Sequence, residues 1–470
     1  MSDKYDVLIV GAGLSGLATA GYLAKAGKKV KIVEKNPLPG GSTISPVING
    51  CLVSQLAPIC PSPAYDNPSG WAKLAKDFEA DVQVKPSEVS RVYIRGKDRD
   101  YDFKIMLHLS AKGAANWMVH TLLESIRPEL ISDKTDEDMY RIIKEVYEAS
   151  LDTLGTEWGE MSLEDWLPSR STDPGVKFAL TAMLSGTIFT GDHEYTYRYA
   201  SAGKGLLLLR MWLGAGGCMV VPKQNPQAGI SQPIADAVVG MGVEIEYNID
   251  VQQVLIEEGK VCGILVKRGE EEETLHAEQY VVATRWGAWP AIFKPMPDFM
   301  APLIADVMKP EHIIASAFKT FFLDDEIKLD PSFFMLLDGE GDGSHVLGGY
   351  AQSVEQPWNT VPGTQFIWAY RIMTNATYEK LGQEAVEKQI HENMERLYPG
   401  FHEHLKSETP FGGRVAPSHY FYNKQKKLQH HYDSISNLYF AGDCTTPMPG
   451  MLTDGAAATG EIVANLMLNK

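Results

Sequence analysis

Cysteine is scarce in this chain, with five among 470 residues. The five show no CxxC or other metal-binding spacing, which argues against a zinc site, and an odd number does not fit a disulfide framework. A reducing compartment is the default for such a chain, so we expect a cytoplasmic protein. No charged, apolar leader precedes the first predicted strand, which begins at Tyr5, so we expect no signal peptide.

Positive charge is also in deficit, since 43 lysines and arginines face 60 aspartates and glutamates, giving a net charge of -17. This balance argues against nucleic acid or an anionic membrane as the main partner, because both attract basic proteins. Long apolar runs are missing as well. The longest, residues 205–221, is short for a bilayer span and contains Arg210. We expect a buried helix and a following loop there, with an apolar surface that touches a membrane as the alternative.

The N-terminus carries a strand, a glycine turn, a helix and a second strand. Residues 5–10 form an apolar run, residues 17–25 continue at helical spacing, and residues 29–33 form the second strand. The turn comprises Gly11, Ala12, Gly13, Leu14, Ser15 and Gly16. In such a unit the first glycine permits the tight turn, the second lets a pyrophosphate approach the backbone, and the third lets helix and strand pack closely. The diphosphate then lies on N–H groups at the positive end of the helix.

An acidic residue, Glu34, ends the second predicted strand. A carboxylate at this place accepts hydrogen bonds from both hydroxyls of an adenosine ribose and repels a 2′-phosphate. The turn therefore suits FAD or NAD and does not suit NADP.

Two further segments favour FAD. After Glu34 the chain enters a breaker-rich loop that ends in Gly40-Gly41-Ser42, where a nicotinamide dehydrogenase would continue its sheet. Near the C-terminus, residues 437–440 predict a strand running into Gly442-Asp443, and residues 454–467 predict a helix with many small residues. Such a strand end can place a carboxylate on a polyol chain and aim a helix N-terminus at an electron-rich ring. A flavin with its ribitol has both features.

These motifs together resemble the flavin-containing amine oxidase and phytoene desaturase superfamily of FAD-dependent oxidoreductases. The similarity covers roughly residues 1–60, 205–290 and 400–470. It implies an α/β fold in which a Rossmann-like FAD-binding domain carries a discontinuous, inserted α+β substrate domain. The predicted FAD-binding domain comprises residues 1–70, 205–300 and 400–470, and the predicted substrate-binding domain comprises residues 71–204 and 301–399.

The resemblance also implies roles for individual residues. Glu34 would bind the adenosine ribose, Val251 would contact adenine through its backbone, and Asp443 would bind the ribitol or the diphosphate end. Met451 and Leu452 would lie beside the flavin ring. The full set of implied cofactor-binding residues is Gly11, Gly13, Leu14, Ser15, Gly16, Glu34, Lys35, Gly40, Gly41, Ser42, Val251, Gly442, Asp443, Met451 and Leu452. No metal site is predicted, and no catalytic residue is assigned.

Two departures from amine oxidases bear on the reaction. In amine oxidases an aromatic side chain stands at the start of the terminal flavin helix, where this chain has Met451-Leu452. Many of them also have a lysine that reaches flavin N5 through water, and the comparable strand here places Ala315 or Ser316 nearest that position, with Lys319 several residues late. Both departures favour desaturase-like hydride transfer on the carbon skeleton of a small, largely apolar or carbonyl-bearing molecule. Amine oxidation is the alternative.

Some residues have both a functional and a structural interpretation. Asp192 is a predicted helix N-cap, and Tyr195 and Tyr199 share a face of the helix that follows. Trp368 and Tyr370 lie two apart on a predicted strand and therefore share one face. Each pair could line a substrate pocket or belong to the core.

The C-terminal region adds two expectations. Arg414 stands where some relatives attach flavin through cysteine, so we expect noncovalent FAD. His430 and His431 precede the last strand and are expected to be exposed. A nucleotide-free, prenyl-protein-binding relative of the Rab escort type is a further alternative, although its likeness fades in the Gly442-Asp443 segment that is intact here.

Outside these motifs the hydrophobic periodicity predicts both strands and helices. The acidic run at residues 270–273 fits a solvated hairpin tip. Predicted strands cover residues 242–247, 251–257, 261–268, 279–284, 313–323 and 364–372; predicted helical stretches cover residues 136–154 and 385–397.

Overall fold

A five-stranded parallel sheet organises the first part of the fold, which is seen in a computed structural model. The described residues are 5–54, 60–61, 70–86, 91–95, 100–104, 109–187, 192–214, 219–225, 227–309, 313–338, 346–417, 428–446 and 452–469. In spatial order the strands are Glu244–Tyr247, Val30–Glu34, Tyr5–Val10, Ala277–Val282 and Leu438–Phe440. All four pairings are parallel, so the predicted α/β class is confirmed and both ends of the chain meet in one sheet.

Two helices from opposite ends of the chain pack together on this sheet. The first helix spans Leu14–Lys25 and the terminal helix spans Leu452–Leu468. Their small residues allow a close approach, because a Cβ added at Gly460 would collide with the backbone oxygen of Ser15. Thr19 Oγ1 also donates to the oxygen of Gly460 at 3.2 Å. The contact fixes the start of the terminal helix relative to the glycine turn. Helices Gln232–Gly240 and Gly70–Asp77 add to the same core.

A small antiparallel sheet follows the parallel one. Its strands are Asp250–Glu257, Lys260–Arg268 and Glu271–Leu275. The acidic run is not wholly a turn, because Glu271 pairs with Arg268 and begins a strand, so the hairpin tip is residues 269–270. The glutamates of this strand remain exposed, in line with their charge.

An eight-stranded mixed sheet forms the second large layer. Its central strands, Ile313–Leu323 and Gln365–Thr374, pair antiparallel along their whole length. The other six strands are Arg91–Arg95, Asp100–Lys104, Phe333–Asp338, Val346–Tyr350, Leu405–Glu408 and Gly412–Pro417. Helix Gln383–Leu397 covers one face through Val386, Ile390 and Met394. The other face therefore becomes a candidate for contact with a ligand.

A helical block completes the fold. Its main helices are Ala111–Trp117, Asp133–Glu148, Leu163–Trp166, Pro174–Thr187, His193–Tyr199 and Ala202–Leu213. Ser132, Ser162, Asp192 and Ser201 cap helix N-termini with their side chains, so the predicted cap at Asp192 is confirmed. The loop expected before residue 221 is partly wrong, because Met219–Pro222 is a strand that pairs with Val84–Pro86. Among the described helices, none combines the length and apolarity that crossing a bilayer requires.

Candidate active site

The glycine turn forms an open cradle at the carboxyl end of the first strand. Gly11 has φ +104, and a Cβ there would lie 2.9 Å from the oxygen of Ala283. A Cβ at Gly16 would collide with the oxygen of Gly11, so both positions exclude a side chain. At Gly13, by contrast, no atom of the described residues other than its neighbours along the chain lies within 4 Å of the Cβ position. Space therefore remains for a ligand to approach the backbone at Gly13.

A second loop closes one side of this cradle. The N–H of Gly40 donates to the oxygen of Ala12 at 2.9 Å, and the Cβ position of Gly41 lies 3.6 Å from Gly13 Cα. A hydrogen bond of 2.8 Å between Thr43 Oγ1 and Ser231 Oγ fastens the loop to the segment before helix Gln232–Gly240. Gly41 is exposed and Ser42 is half-buried, so both can contact a ligand. No local pattern in the sequence marks Ser231, because its partner Thr43 is remote in the sequence.

Glu34 lies beside the turn with its side chain nearly buried. Oε2 accepts the N–H of Ala12 at 2.7 Å, and Oε1 accepts the backbone N–H and the Nδ2 of Asn36 at 2.9 and 2.7 Å. The N–H of Ile249 donates to the backbone oxygen of Glu34 at 2.9 Å, which brings Val251 to the same edge. Lys35, whose side chain is 76% exposed, points outward and lies 3.6 Å from Asp250. The structure thus groups Ala12, Asn36 and Ile249 around Glu34, with Lys35 at the rim, and adenosine binding at this place stays a prediction.

The C-terminal Gly-Asp segment lies against the first helix. The N–H of Gly442 donates to Thr459 Oγ1 at 3.0 Å, and the Cβ position of Gly442 lies 3.9 Å from Ser15 Oγ. Asp443 is 9% exposed, and its Oδ2 lies 3.9 Å from Arg285 Nε. The structure therefore brings Gly442 and Asp443 to the predicted cradle. Leu14, like Ser15, belongs to the first turn of the first helix. Of the two residues expected beside the flavin ring, Leu452 begins the terminal helix and Met451 lies outside the described residues.

These observations fit a dinucleotide. An open backbone position lies between two glycine loops, a buried carboxylate marks one end, and a second carboxylate marks the other. A diphosphate suits the first helix N-terminus, because the backbone N–H groups there are aimed at it.

A cluster of aromatic side chains lies on the mixed sheet, on the face away from helix Gln383–Leu397. We define the aromatic face as Tyr195, Tyr199, Phe318, Trp368 and Tyr370. Ring centroids of Trp368 and Tyr370 lie 4.8 Å apart, and those of Tyr195 and Tyr199 lie 5.2 Å apart. Phe318, Trp368 and Tyr199 are half-exposed although they belong to the middle of the fold. Half-exposed rings on central strands indicate open space in front of them.

The sheet surface that carries the aromatic face also contacts the segment that follows the nucleotide cradle. At one end of the same sheet surface, Phe322 and Phe366 pack on Cys51 and Val53, which follow the Gly40–Thr43 loop. Next to this contact, the N–H of Ser54 donates to Gln352 Oε1 at 2.9 Å. The mixed sheet is thereby joined to the segment that leaves the cradle.

Comparison with known proteins identifies the family. Residues 14–468 match the family described as flavin containing amine oxidoreductase. The chain belongs to this family. Prolycopene isomerase of Daucus carota is 22% identical over 324 residues, which cover 62% of this chain and 48% of that protein, so the chain spans about half the length of this relative.

Solved structures agree in fold. An oxidoreductase from Methanosarcina mazei has a TM-score of 0.67 at 19% identity and covers 98% of this chain and 99% of its own. Cyclohexylamine oxidase from Brevibacterium oxydans has a TM-score of 0.58 at 15% identity over 99% of this chain and 100% of its own. At these identities the likeness shows the fold alone. The resemblance and the fold class inferred from sequence are confirmed, and membership in the family implies a flavin cofactor.

In this flavin oxidoreductase Lys319 does not belong to the aromatic face. Ser316 is half-exposed on that face, whereas Lys319 is three residues later and points to the other side of the strand. Lys319 is 4% exposed, forms an ion pair with Glu408, and lies 3.9 Å from Glu387 on the covering helix. Ala315 is buried on that same side. Lys319 thus has a structural partner under the sheet.

Two expectations about histidines need correction. His430 is 3% exposed, and its Nδ1 lies 3.0 Å from the oxygen of Phe440. His431 stacks on Tyr439 with ring centroids 4.7 Å apart. The expected exposure is wrong because residues 428–429 form a strand with residues 445–446, which draws both histidines inward. Arg414 belongs to a strand of the mixed sheet that pairs with Ile313–Leu323.

Proposed function

We propose that this protein is an FAD-dependent oxidoreductase that transfers hydride between flavin and the carbon skeleton of a largely apolar or carbonyl-bearing substrate. The aromatic face carries this proposal. On this face of the mixed sheet, away from helix Gln383–Leu397, the two central strands place nine outward side chains: Ile314, Ser316, Phe318, Thr320, Phe322, Phe366, Trp368, Tyr370 and Ile372. None of these nine is charged, so the surface suits a substrate that gains by leaving water.

The chain's own residues would bind and orient both molecules. The cradle around Gly13 and Gly41 would hold the diphosphate, Glu34 the adenosine ribose, and Asp443 the ribitol. When bound, FAD supplies the hydride acceptor or donor at N5. Trp368 and Phe318 would hold a planar segment of substrate and exclude water, with about 25 cal/mol stabilisation per Å² of buried apolar surface. Burial raises the pKa of Tyr370, so its hydroxyl stays protonated and can only donate or accept a hydrogen bond.

A noncovalent flavin is part of the proposal. Covalent attachment through cysteine needs a reactive thiolate. Cys444 follows Asp443 directly, and burial raises the pKa of its thiol well above the usual value, with the nearby Asp443 acting in the same direction. Cys444 therefore stays neutral. The domain division given above and a reducing compartment remain predictions that rest on the sequence.

Amine oxidation is the second candidate, and the same aromatic face supports it. Paired rings such as Trp368–Tyr370 attract a cationic amine through their π electrons. Cyclohexylamine oxidase also shares the fold. We place this candidate second because no basic or acidic side chain stands among the nine outward residues to take a proton from the amine.

The test is an absorbance spectrum followed by anaerobic mixing with substrate panels. We expect a yellow protein whose FAD is released by acid or heat, and we expect bleaching by a polyene, enone or cyclic ketone partner in either hydride direction. Rapid bleaching by simple amines would promote the second candidate. A colourless protein that cannot be reconstituted with FAD would contradict both and favour a prenyl-protein-binding relative.

The residue-level test is Trp368→Ala. With the best partner found, we expect kcat/KM to fall about 10- to 100-fold, because a large aromatic contact is lost at the substrate. Trp358→Ala is the matched control, since Trp358 is an exposed tryptophan in the short 3-10 helix Pro357–Asn359. Equal effects of the two substitutions, or no effect of Trp368→Ala, would remove the aromatic face from the site.

A further inference from the structure

Arg285 stands close to the nucleotide cradle, although no sequence motif marks it. It follows strand Ala277–Val282 at the carboxyl end of the parallel sheet. Just before it, the N–H of Ala283 donates to the oxygen of Val10 at 2.9 Å, and Thr284 Cγ2 lies 3.5 Å from the Cβ position of Gly11. The chain therefore touches the glycine turn immediately before it reaches Arg285.

Arg285 also contacts the C-terminal side of the cradle. Its Nε lies 3.9 Å from Asp443 Oδ2, and the side chains of Arg285 and Asp443 are 29% and 10% exposed. Asp443 follows Gly442, which lies near Ser15 in the first turn of the first helix. Arg285 thus directly follows two residues that contact the glycine turn, and its own side chain lies beside the Gly-Asp segment.

The negative charges expected around the nucleotide cradle need a positive group nearby. Glu34 and Asp443 bring two buried carboxylates to the cradle, and a diphosphate adds negative charge on both phosphates. Bringing these charges together out of water is costly unless a positive group offsets them. Lys35 is directed to solvent, whereas Arg285 is largely shielded and already beside Asp443.

We propose that Arg285 binds the diphosphate of FAD while it orients the carboxylate of Asp443 toward the ribitol. A guanidinium carries five N–H groups in a planar fork, which is enough to hold a carboxylate with one edge and phosphate oxygens with another. The inference rests on the FAD binding of the proposed function. It is independent of which substrate is used.

The test measures FAD binding to apoprotein by fluorescence, without any turnover. We expect Arg285→Ala to weaken FAD about 10- to 100-fold, which is the usual effect of losing a charge-assisted hydrogen bond, and Arg285→Lys to lie between. Arg170→Ala is the matched control, because Arg170 is 19% exposed and pairs with Glu145 far from the cradle. Competition with ADP and with adenosine shows whether Arg285 contacts the diphosphate. Arg285→Ala should weaken the binding of ADP and leave the binding of adenosine unchanged.

The double variant Arg285→Ala/Asp443→Asn separates two roles of the arginine. If Arg285 contacts the diphosphate, the double variant binds FAD more weakly than Asp443→Asn alone. If the double variant binds FAD as tightly as Asp443→Asn alone, Arg285 only neutralises Asp443 and the proposal is overturned, as it is by unchanged FAD or ADP affinity in Arg285→Ala. If Arg285→Ala does not fold, Arg285→Gln and Arg285→Lys carry the same comparison. A wild-type protein that binds no FAD would instead refute the proposed function, and amine turnover would leave the Arg285 result standing.

Discussion

Replacing Glu34 with alanine tests how the nucleotide is placed. The carboxylate is 5% exposed and accepts hydrogen bonds from the backbone N–H of Ala12 and from the backbone and side-chain nitrogens of Asn36. An ionised carboxylate has about four acceptor sites, so about one remains for a ribose hydroxyl without rearrangement. The substitution removes that site and the support of the turn together.

The two losses have different magnitudes. One hydrogen bond to a charged group contributes about 1.5 to 3 kcal/mol, and 1.4 kcal/mol is a factor of ten, so we expect FAD to bind about 10- to 150-fold more weakly. The N–H of Ala12 also loses its partner, which lowers the free energy of unfolding of the apoprotein by about 1 to 3 kcal/mol. The variant should therefore fold, with reduced stability.

The assay is titration of apoprotein with FAD, combined with urea unfolding of the same samples. Asp138→Asn is the matched control, because Asp138 is 7% exposed and is hydrogen bonded by Ser171, Lys134 and Arg141 in the helical block. This control should lose stability and keep its FAD affinity. Unchanged FAD affinity in Glu34→Ala would refute the reasoning and place the adenosine elsewhere.

Three further predictions concern other parts of the structure. Gly16→Ala should abolish FAD binding, because its Cβ would collide with a backbone oxygen of the turn, and a titration that matches wild type would contradict the packing described. The hydrogen bond from Arg268 lowers the pKa of Glu246 to about 2, so the stability from this pair is present above pH 4.5 and is lost as pH falls toward 2. In urea unfolding at several pH values, the free energy of unfolding should fall less between pH 4.5 and 2 in Glu246→Gln than in the wild type. An equal fall in both proteins would refute this role of Glu246. Lys319→Met should lower the thermal midpoint, since it leaves the carboxylate of Glu408 without its buried cation, yet leave the rate of flavin reduction unchanged; a changed rate would place Lys319 in the site.

Local patterns predicted the cradle better than its surroundings. The first strand, the first helix and strand Ile313–Leu323 follow from apolar periodicity and from glycines within a short stretch. Strand Met219–Pro222 was not predicted, because its partners lie more than a hundred residues earlier and no local pattern reports them. Arg285 was not predicted for the same reason, since its proposed role depends on Asp443, which follows the neighbouring strand but lies far along the chain.

The aromatic face was predicted only in part, because local alternation shows which side chains share a face and distant packing decides what that face contacts. Alternation alone predicted that Trp368 and Tyr370 share one side of a strand, and the structure agrees. Which side faces the helix and which faces open space could not be read from the strand itself. That depends on helix Gln383–Leu397, which packs on the other face through residues far along the chain.

The meeting of both chain ends in the parallel sheet has a consequence for synthesis. Strand Tyr5–Val10 and the first helix are translated about 400 residues before their neighbours Leu438–Phe440 and Leu452–Leu468. Until then the small-residue surface around Ser15 that receives Gly460 is uncovered. Domains generally fold as units during synthesis at about 5 to 20 residues per second, so the nascent N-terminal unit waits for tens of seconds with an apolar surface exposed. We expect chaperones that recognise exposed apolar surface to bind it during that interval, and the cofactor to be acquired only after the terminal helix has been translated.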